Sequence, residues 1–278
     1  MSPVAVTEPS VNAASPQAAA VTASRLCAIV PVYDHELAIA AVVAQLRAAA
    51  LHVFLVDDGS HASCRDAIVA LADAGVTVLR HRANQGKGAA VLTGMRAAFA
   101  AGFSHGLQVD ADGQHDLAAL PALRELSEAE PQALVSGRPA YDASVPAIRY
   151  YGRYATHALV WLNTWSLAIR DSMCGFRIYP LRACIELSER SRLGQRMDFD
   201  TDVMVRLFWA GVPVRFTSVR VTYPAGGVSH FDVLRDNLLL SLMHGRHFLL
   251  LLGRSLTLRL AGRGGRPAAP STHEAQHG

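Results

Sequence analysis

The sequence predicts an α/β fold built on a mostly parallel sheet with helices on both faces. Two observations carry this expectation. Short apolar runs alternate with stretches of helical periodicity across residues 26–136, and strands separated by helices of that length pair in parallel. The polar motifs of this region all fall at the ends of apolar runs: Tyr33-Asp34, Asp57-Asp58, residues 82–88, residues 110–115 and Gly137-Arg138. In such sheets ligands bind beyond the carboxyl ends of the strands.

The elements follow in order. Residues 26–30 read as a strand and 36–50 as an Ala-rich helix. A strand at 53–56 leads to a helix at 62–74 that Gly75 closes, and a strand at 76–79 leads to a helix at 88–101 that Gly102 closes. The fourth strand spans 106–109, a helix spans 117–130 and the fifth strand spans 133–136. The second half changes character. Residues 146–167 form a long amphipathic pattern with Arg149, Arg153 and His157 among Tyr150, Tyr151, Tyr154, Trp161 and Trp165. Residues 172–180 read as a loop and short strand, 198–210 as a helix, and 212–216 and 219–223 as two short strands. Residues 237–252 are strongly apolar but broken by His244, Arg246 and His247.

Composition excludes several classes. The net charge of +3 is too small to imply nucleic acid, and no pattern of Arg or Lys with aromatics suggests RNA binding. Cys27, Cys64, Cys174 and Cys184 show no CxxC spacing and no His pairing for zinc, so they read as free thiols in a reducing, cytoplasmic compartment. Residues 1–24 lack the basic start and apolar block of a signal peptide and read as a disordered tail. No segment reaches about 18 uninterrupted apolar residues, so a spanning helix is not expected. The chain divides into that tail, one domain at 25–235, an apolar and basic helical segment at 236–262, and a disordered polar tail at 263–278.

Five motifs carry chemistry. Asp110-Ala-Asp112 ends an apolar strand, and side-chain alternation lets the two carboxylates converge. Hard oxygens of this kind suit Mg²⁺ or Mn²⁺, which would also hold substrate phosphates; the bland alternative is a turn with solvated acids. Asp57 and Asp58 can accept from a base or ribose, although Asp58 can equally cap the next helix. Asn84-Gln-Gly86-Lys87-Gly88 opens a helix, where glycines admit a close ligand, the helix start favours anions and Lys87 offers a point charge to a diphosphate. It lacks the Walker pattern. Arg138 is either a bidentate phosphate ligand or a surface arginine. Asp198, Asp200 and Asp202 open a helix, where acids also complement the macrodipole.

Taken together, Pro31-Val-Tyr33, Val56-Asp57-Asp58-Gly59-Ser60, Asn84 to Gly88, Asp110 to His115 and Cys174-Gly175-Phe176-Arg177 resemble the family 2 glycosyltransferases, whose fold is GT-A. The resemblance covers about residues 25–235. It is nearest to the polyprenyl-phosphate sugar transferase branch, with dolichol-phosphate mannosyltransferase as a relative. It implies an inverting transfer from a UDP- or GDP-linked sugar to a lipid or lipid-linked hydroxyl or phosphate, with Mg²⁺ or Mn²⁺. Pro31 and Tyr33 would shape the base pocket, with Glu36 or its neighbour Asp34 reaching the ribose, and Asp57 or Asp58 would hold the nucleoside. Asp112 and Gln114 would ligate the metal, with Asp110 on the metal or on sugar hydroxyls. Arg138 and Arg177 would contact phosphate. Asp202 would be the general base, with Asp200 as the alternative. Gly227-Val-Ser229-His230 resembles a phosphate-binding segment, with His230 where the family has Lys and Pro224 where it has Arg. Basic groups beside Leu runs in residues 236–262 suit a helix lying on an anionic cytoplasmic leaflet, or equally a docked core helix. Two rival readings stand: a nucleotidyltransferase, against which no Gly-rich Arg-Lys signature follows the first strand, and a catalytically silent nucleotide-sugar-binding or scaffold relative.

Overall fold

The computed structural model describes residues 25–140, 147–220 and 232–260. The expected tails at 1–24 and 263–278 and the segment with Pro224, Ser229 and His230 lie outside the described residues.

Seven strands form one sheet in the order β3-β2-β1-β4-β6-β5-β7. They are β1 (Leu26–Val32), β2 (His52–Asp57), β3 (Val76–Arg80), β4 (His105–Gln108), β5 (Leu134–Ala140), β6 (Arg177–Pro180) and β7 (Val214–Arg220). The helices are α1 (Glu36–Ala48), α2 (Ala62–Val69), α3 (Lys87–Ala100), α4 (Leu120–Ala129), α5 (Ala147–Thr164), α6 (Leu181–Arg190), α7 (Phe199–Trp209) and α8 (Val233–Leu260). β1 pairs in parallel with β2 on one side and β4 on the other, and β6 alone runs against its neighbours β4 and β5. The chain leaves β1 in both directions, which opens a crevice at the carboxyl ends of β1 and β4.

β1 is apolar throughout because the sheet is covered on both faces. Ala28, Val30 and Val32 join one core layer with Ile39 and Leu46 of α1 and Leu123 of α4. Cys27 and Ile29 join the other, with Val91 and Met95 of α3 and Phe199 and Val203 of α7.

Several boundaries differ from expectation. The helix expected to 74 ends at Val69, and a turn follows in which Asp73 accepts from the Gly75 N–H at 2.6 Å. The helix expected from 117 starts as a 3₁₀ turn at Leu117–Ala119, capped by Asp116, before α4. Where two short strands are expected at 212–216 and 219–223, one strand, β7, runs unbroken over the described part, because β5 pairs along its whole length from Leu134 with Val214 to Ala140 with Arg220; residues 221–223 lie outside the described residues. α6 was not anticipated; Pro180, the last residue of β6, stands as its N-cap.

α8 docks on α5 and α7 through Leu240, Met243, His244 and His247, all buried. Its other face is also apolar, with Leu238 60%, Leu242 61% and Leu249 69% exposed, and Trp165 beyond α5 is 74% exposed. No helix among the described residues is long and apolar enough to cross a membrane.

Candidate active site at the carboxyl ends of the strands

β4 delivers Asp110 and Asp112 to the crevice. Lys87, first residue of α3, places its ammonium 2.7 Å from Asp110 Oδ1 and 3.0 Å from Asp200 Oδ2. Asp200 belongs to the first turn of α7. Its other oxygen accepts from Gln108 Nε2 at 3.0 Å, and the Tyr179 hydroxyl donates to Gln108 Oε1 at 3.0 Å. A polar chain thus runs from the buried sheet to the open end, Tyr179–Gln108–Asp200–Lys87–Asp110. Gln108 and Tyr179 were missed by sequence reasoning; a glutamine inside an apolar strand was the available signal. Burial works to lower the Lys87 pKa, but Asp110 and Asp200 outweigh it and raise it. For Asp110, burial raises the pKa but the Lys87 ammonium outweighs it, and the carboxyl is held below its ordinary value.

Asp110 keeps 22% of its side chain exposed. Facing it is Gly175, where an added Cβ would lie 2.5 Å from Asp110 Oδ2; glycine is what lets this loop approach. Asp112 Oδ1 accepts from the Gln114 N–H at 3.0 Å, so the turn reading of this motif is met with one oxygen. The other has no partner among the described residues. No three His, Cys, Asp or Glu side chains among the described residues form a metal cage. The donor set still fits a hard cation, because Mg²⁺-type sites commonly use one or two carboxylates and complete the shell with substrate phosphates and water. His115 stacks on Phe176 at 5.5 Å, and burial lowers its pKa, keeping it neutral and structural.

The Gly-rich loop is built differently from the expected phosphate cradle. Asp58 turns inward and accepts from the Gln85 and Gly86 N–H groups at 2.9 and 2.7 Å, while its Oδ1 also meets His81 Nδ1 at 2.7 Å. These amides already have a carboxylate, and Asp58 braces the loop rather than a nucleoside. Gly86 is required by its φ of +105° and by its contact with the Gln195 carbonyl and Arg196. Asp57 accepts from the Ser60 N–H at 2.8 Å and Arg80 Nη1 at 2.6 Å and is 1% exposed. In Asp57 each carboxylate oxygen has one partner, whereas Asp58 Oδ1 has two and Oδ2 has one.

Pro31 is buried in β1, and Tyr33 is half-buried just past its end. Asp34, at φ +50°, accepts from the His61 N–H at 2.8 Å and meets the His61 ring at 2.7 Å, tying the two strand-end loops together. Glu36 is exposed at the start of α1, with the Ser63 hydroxyl at 3.4 Å. Arg138 is exposed on β5.

Two assignments are corrected. Arg177 is fully buried and donates to the carbonyls of Cys174, Asp200 and Ser172, so it pins the Gly175 loop to α7 and reaches no phosphate. Asp202 is also fully buried. It accepts from Arg206 Nε at 2.6 Å, Arg246 Nη2 at 2.8 Å and the Gly194 N–H at 2.8 Å, and lies 2.6 Å from His247 Nε2. Despite burial, these groups hold its pKa well below the carboxylate range. A base so saturated takes no proton from a substrate; Asp200 is the helix-start acid that faces the site. Asp171 is structural in the same way, held by both arms of Arg153 at 2.6 Å and by the N–H groups of Met173 and Cys174.

A search among curated proteins returns no match. Among solved structures, glucosyl-3-phosphoglycerate synthase from Mycobacterium tuberculosis is similar in fold. Its UDP complex superposes with TM-score 0.61 at 15% identity, covering 83% of this chain and 80% of that one. Its complex with Mn²⁺ and UDP-glucose gives 0.59 at 15% identity over 88% and 81%. Its complex with Mn²⁺, UDP-glucose and phosphoglyceric acid gives 0.60 at 14% identity over 83% and 80%. At such identity these structures speak for the fold. The model of glycosyl transferase family 2 matches residues 27–184, more than half of the chain, and with the GT-A sheet and its strand-end acids in place the protein belongs to that family and is a glycosyltransferase.

Proposed function

We propose that this glycosyltransferase moves a sugar, with inversion, from a UDP- or GDP-linked donor to a lipid or lipid-linked acceptor at a membrane surface, with Mg²⁺ or Mn²⁺. The observation that carries the reading is the meeting of Asp110, just past the end of β4, and Asp200 of α7 on the Lys87 ammonium. Relatives of this fold are crystallised with Mn²⁺ and UDP-glucose, which supports the donor class.

Asp110, Asp112 and Gln114 would hold the cation, which would supply Lewis-acid charge neutralisation to the diphosphate leaving group. Pro31 and Tyr33 line the strand end where a base would stack, and Asp57 offers the acceptor oxygen for it. Lys87 adds positive charge beside the diphosphate. Asp200, oriented by Gln108, accepts the proton of an acceptor hydroxyl as it attacks the anomeric carbon; a phosphate acceptor is already ionised and needs no such base. Ser229 and His230 stand as acceptor-phosphate candidates from sequence alone.

The lipid acceptor rests on the apolar outer faces of α5 and α8. Contiguous exposed apolar surface marks an interaction site, and the stretch from residue 237 to 273 carries Arg246, Arg254, Arg259, Arg263 and Arg266 without a single acid. Such a surface suits an anionic leaflet. A soluble phosphorylated acceptor is the second reading, favoured by the phosphoglyceric acid complex of the relative.

Calorimetric titration with UDP-glucose, UDP-GlcNAc and GDP-mannose, with Mn²⁺ and then with chelator, tests the donor reading. Metal-dependent binding of one donor is expected; no binding by folded protein favours the silent relative. Sedimentation with vesicles containing phosphatidylglycerol tests the surface. Co-sedimentation that Leu238→Ser/Leu242→Ser/Leu249→Ser weakens is expected, and protein left in the supernatant turns the reading to a soluble acceptor.

A further inference from the structure

The Lys87 ammonium occupies the place where the acids of the site converge. It lies between Asp110 from the end of β4 and Asp200 from the first turn of α7. The two acids differ in freedom. Asp200 is fixed by Gln108, which is fixed by Tyr179, and all three are buried. Asp110 stands at the mouth, backed by Gly175. The lysine stem is a flexible four-carbon chain, so the ammonium can swing while both carboxylates stay in place. A divalent cation at Asp110 and Asp112 would meet this charge a few ångströms away, and like charges at that range repel strongly in a partly buried site. An arriving diphosphate has the opposite effect and draws the ammonium towards itself.

We infer that Lys87 is a resident counter-ion that holds the Asp110–Asp200 pair in the donor-free enzyme and passes to the donor diphosphate on binding. Metal and nucleotide sugar then bind as a unit, and Asp200 is released to act only when a donor is present. The inference rests on the donor reading above and adds an order of events to it. Its consequence is a positive coupling between metal and nucleotide, which is reciprocal by thermodynamic necessity.

The test is Mn²⁺ binding to nucleotide-free protein, followed by electron paramagnetic resonance, for wild type, Lys87→Met and Lys87→Arg. Lys87→Met removes the competing charge and is expected to tighten Mn²⁺ binding roughly tenfold. It also shrinks the factor by which a nucleotide sugar tightens Mn²⁺. Lys87→Arg, which keeps a cation, stays near wild type. Melting temperature and near-ultraviolet circular dichroism confirm that each variant is folded. Mn²⁺ affinity in folded Lys87→Met equal to or weaker than wild type overturns the inference and leaves Lys87 as a phosphate ligand only. Failure of the donor reading looks different: no nucleotide sugar changes Mn²⁺ affinity in wild type, while the comparison of nucleotide-free proteins still reads out.

Discussion

Asp200 and Asp202 stand two residues apart on the same helical turn, and the structure uses them for opposite ends. Asp200 has one neutral partner, Gln108, and one cationic partner, Lys87, which it shares with Asp110. Asp202 points to the other side of α7 and is enclosed by Arg206, Arg246, His247 and a backbone N–H. The first arrangement leaves lone pairs and a replaceable counter-ion, which is what proton transfer and ligand exchange need. The second leaves neither, and its product is the docking of α8. The general lesson is that an acid's role follows from how many of its acceptor sites the fold has already filled.

The same substitution at both positions is the strongest way to break this comparison. Asp202→Asn leaves Arg206 and Arg246 buried or half-buried without a counter-charge, and loss of one partner of such a cluster costs about 3–5 kcal/mol. The unfolding free energy from urea titration is expected to fall by that much while donor affinity per folded molecule is kept. A stable Asp202→Asn with abolished turnover would return the base role to Asp202. Asp200→Asn has the opposite signature: melting near wild type and kcat lower by roughly a hundredfold with a hydroxyl acceptor. Turnover close to wild type would mean that the acceptor arrives ionised, as a phosphate does.

A smaller effect sharpens the docking side. His244 on α8 packs against Asn163, with Nδ1 and Asn163 Nδ2 3.1 Å apart, and burial, reinforced by His247, lowers its pKa from 6.5 to about 4. The native state therefore keeps this ring neutral where the unfolded chain binds a proton. Stability from this group is complete above pH 6.5 and declines as pH falls towards 4, by roughly 2–3 kcal/mol over the window. His244→Asn is expected to flatten that decline between pH 7 and pH 4.5 in urea titrations. An unchanged slope would place the acid sensitivity elsewhere.

The crevice was legible because apolar runs mark strands and polar residues at their ends mark loops, both local signals. Asp110 and Lys87 were found this way, and the structure brings these two together. The roles of Asp58, Arg177 and Asp202 were not legible. Asp58 accepts from N–H groups 27 and 28 residues away, and Asp202 meets partners 44 and 45 residues on. A motif names the acid but not the groups that will reach it. Arg177 shows the same limit: an arginine after Gly-Phe suits phosphate until the carbonyls of Ser172, Cys174 and Asp200 claim every arm.

Composition and periodicity alone settled the α/β class, the order of strands and helices through β5, and the set of residues at those strand ends, because these depend on neighbours a few positions apart. Which of those residues face the crevice, and which are consumed in holding it open, was decided only when β6 turned back beside β4 and α7 and α8 packed beneath. Hydrogen-bond saturation is a property of the assembled neighbourhood, and it distinguishes Asp200 from Asp202.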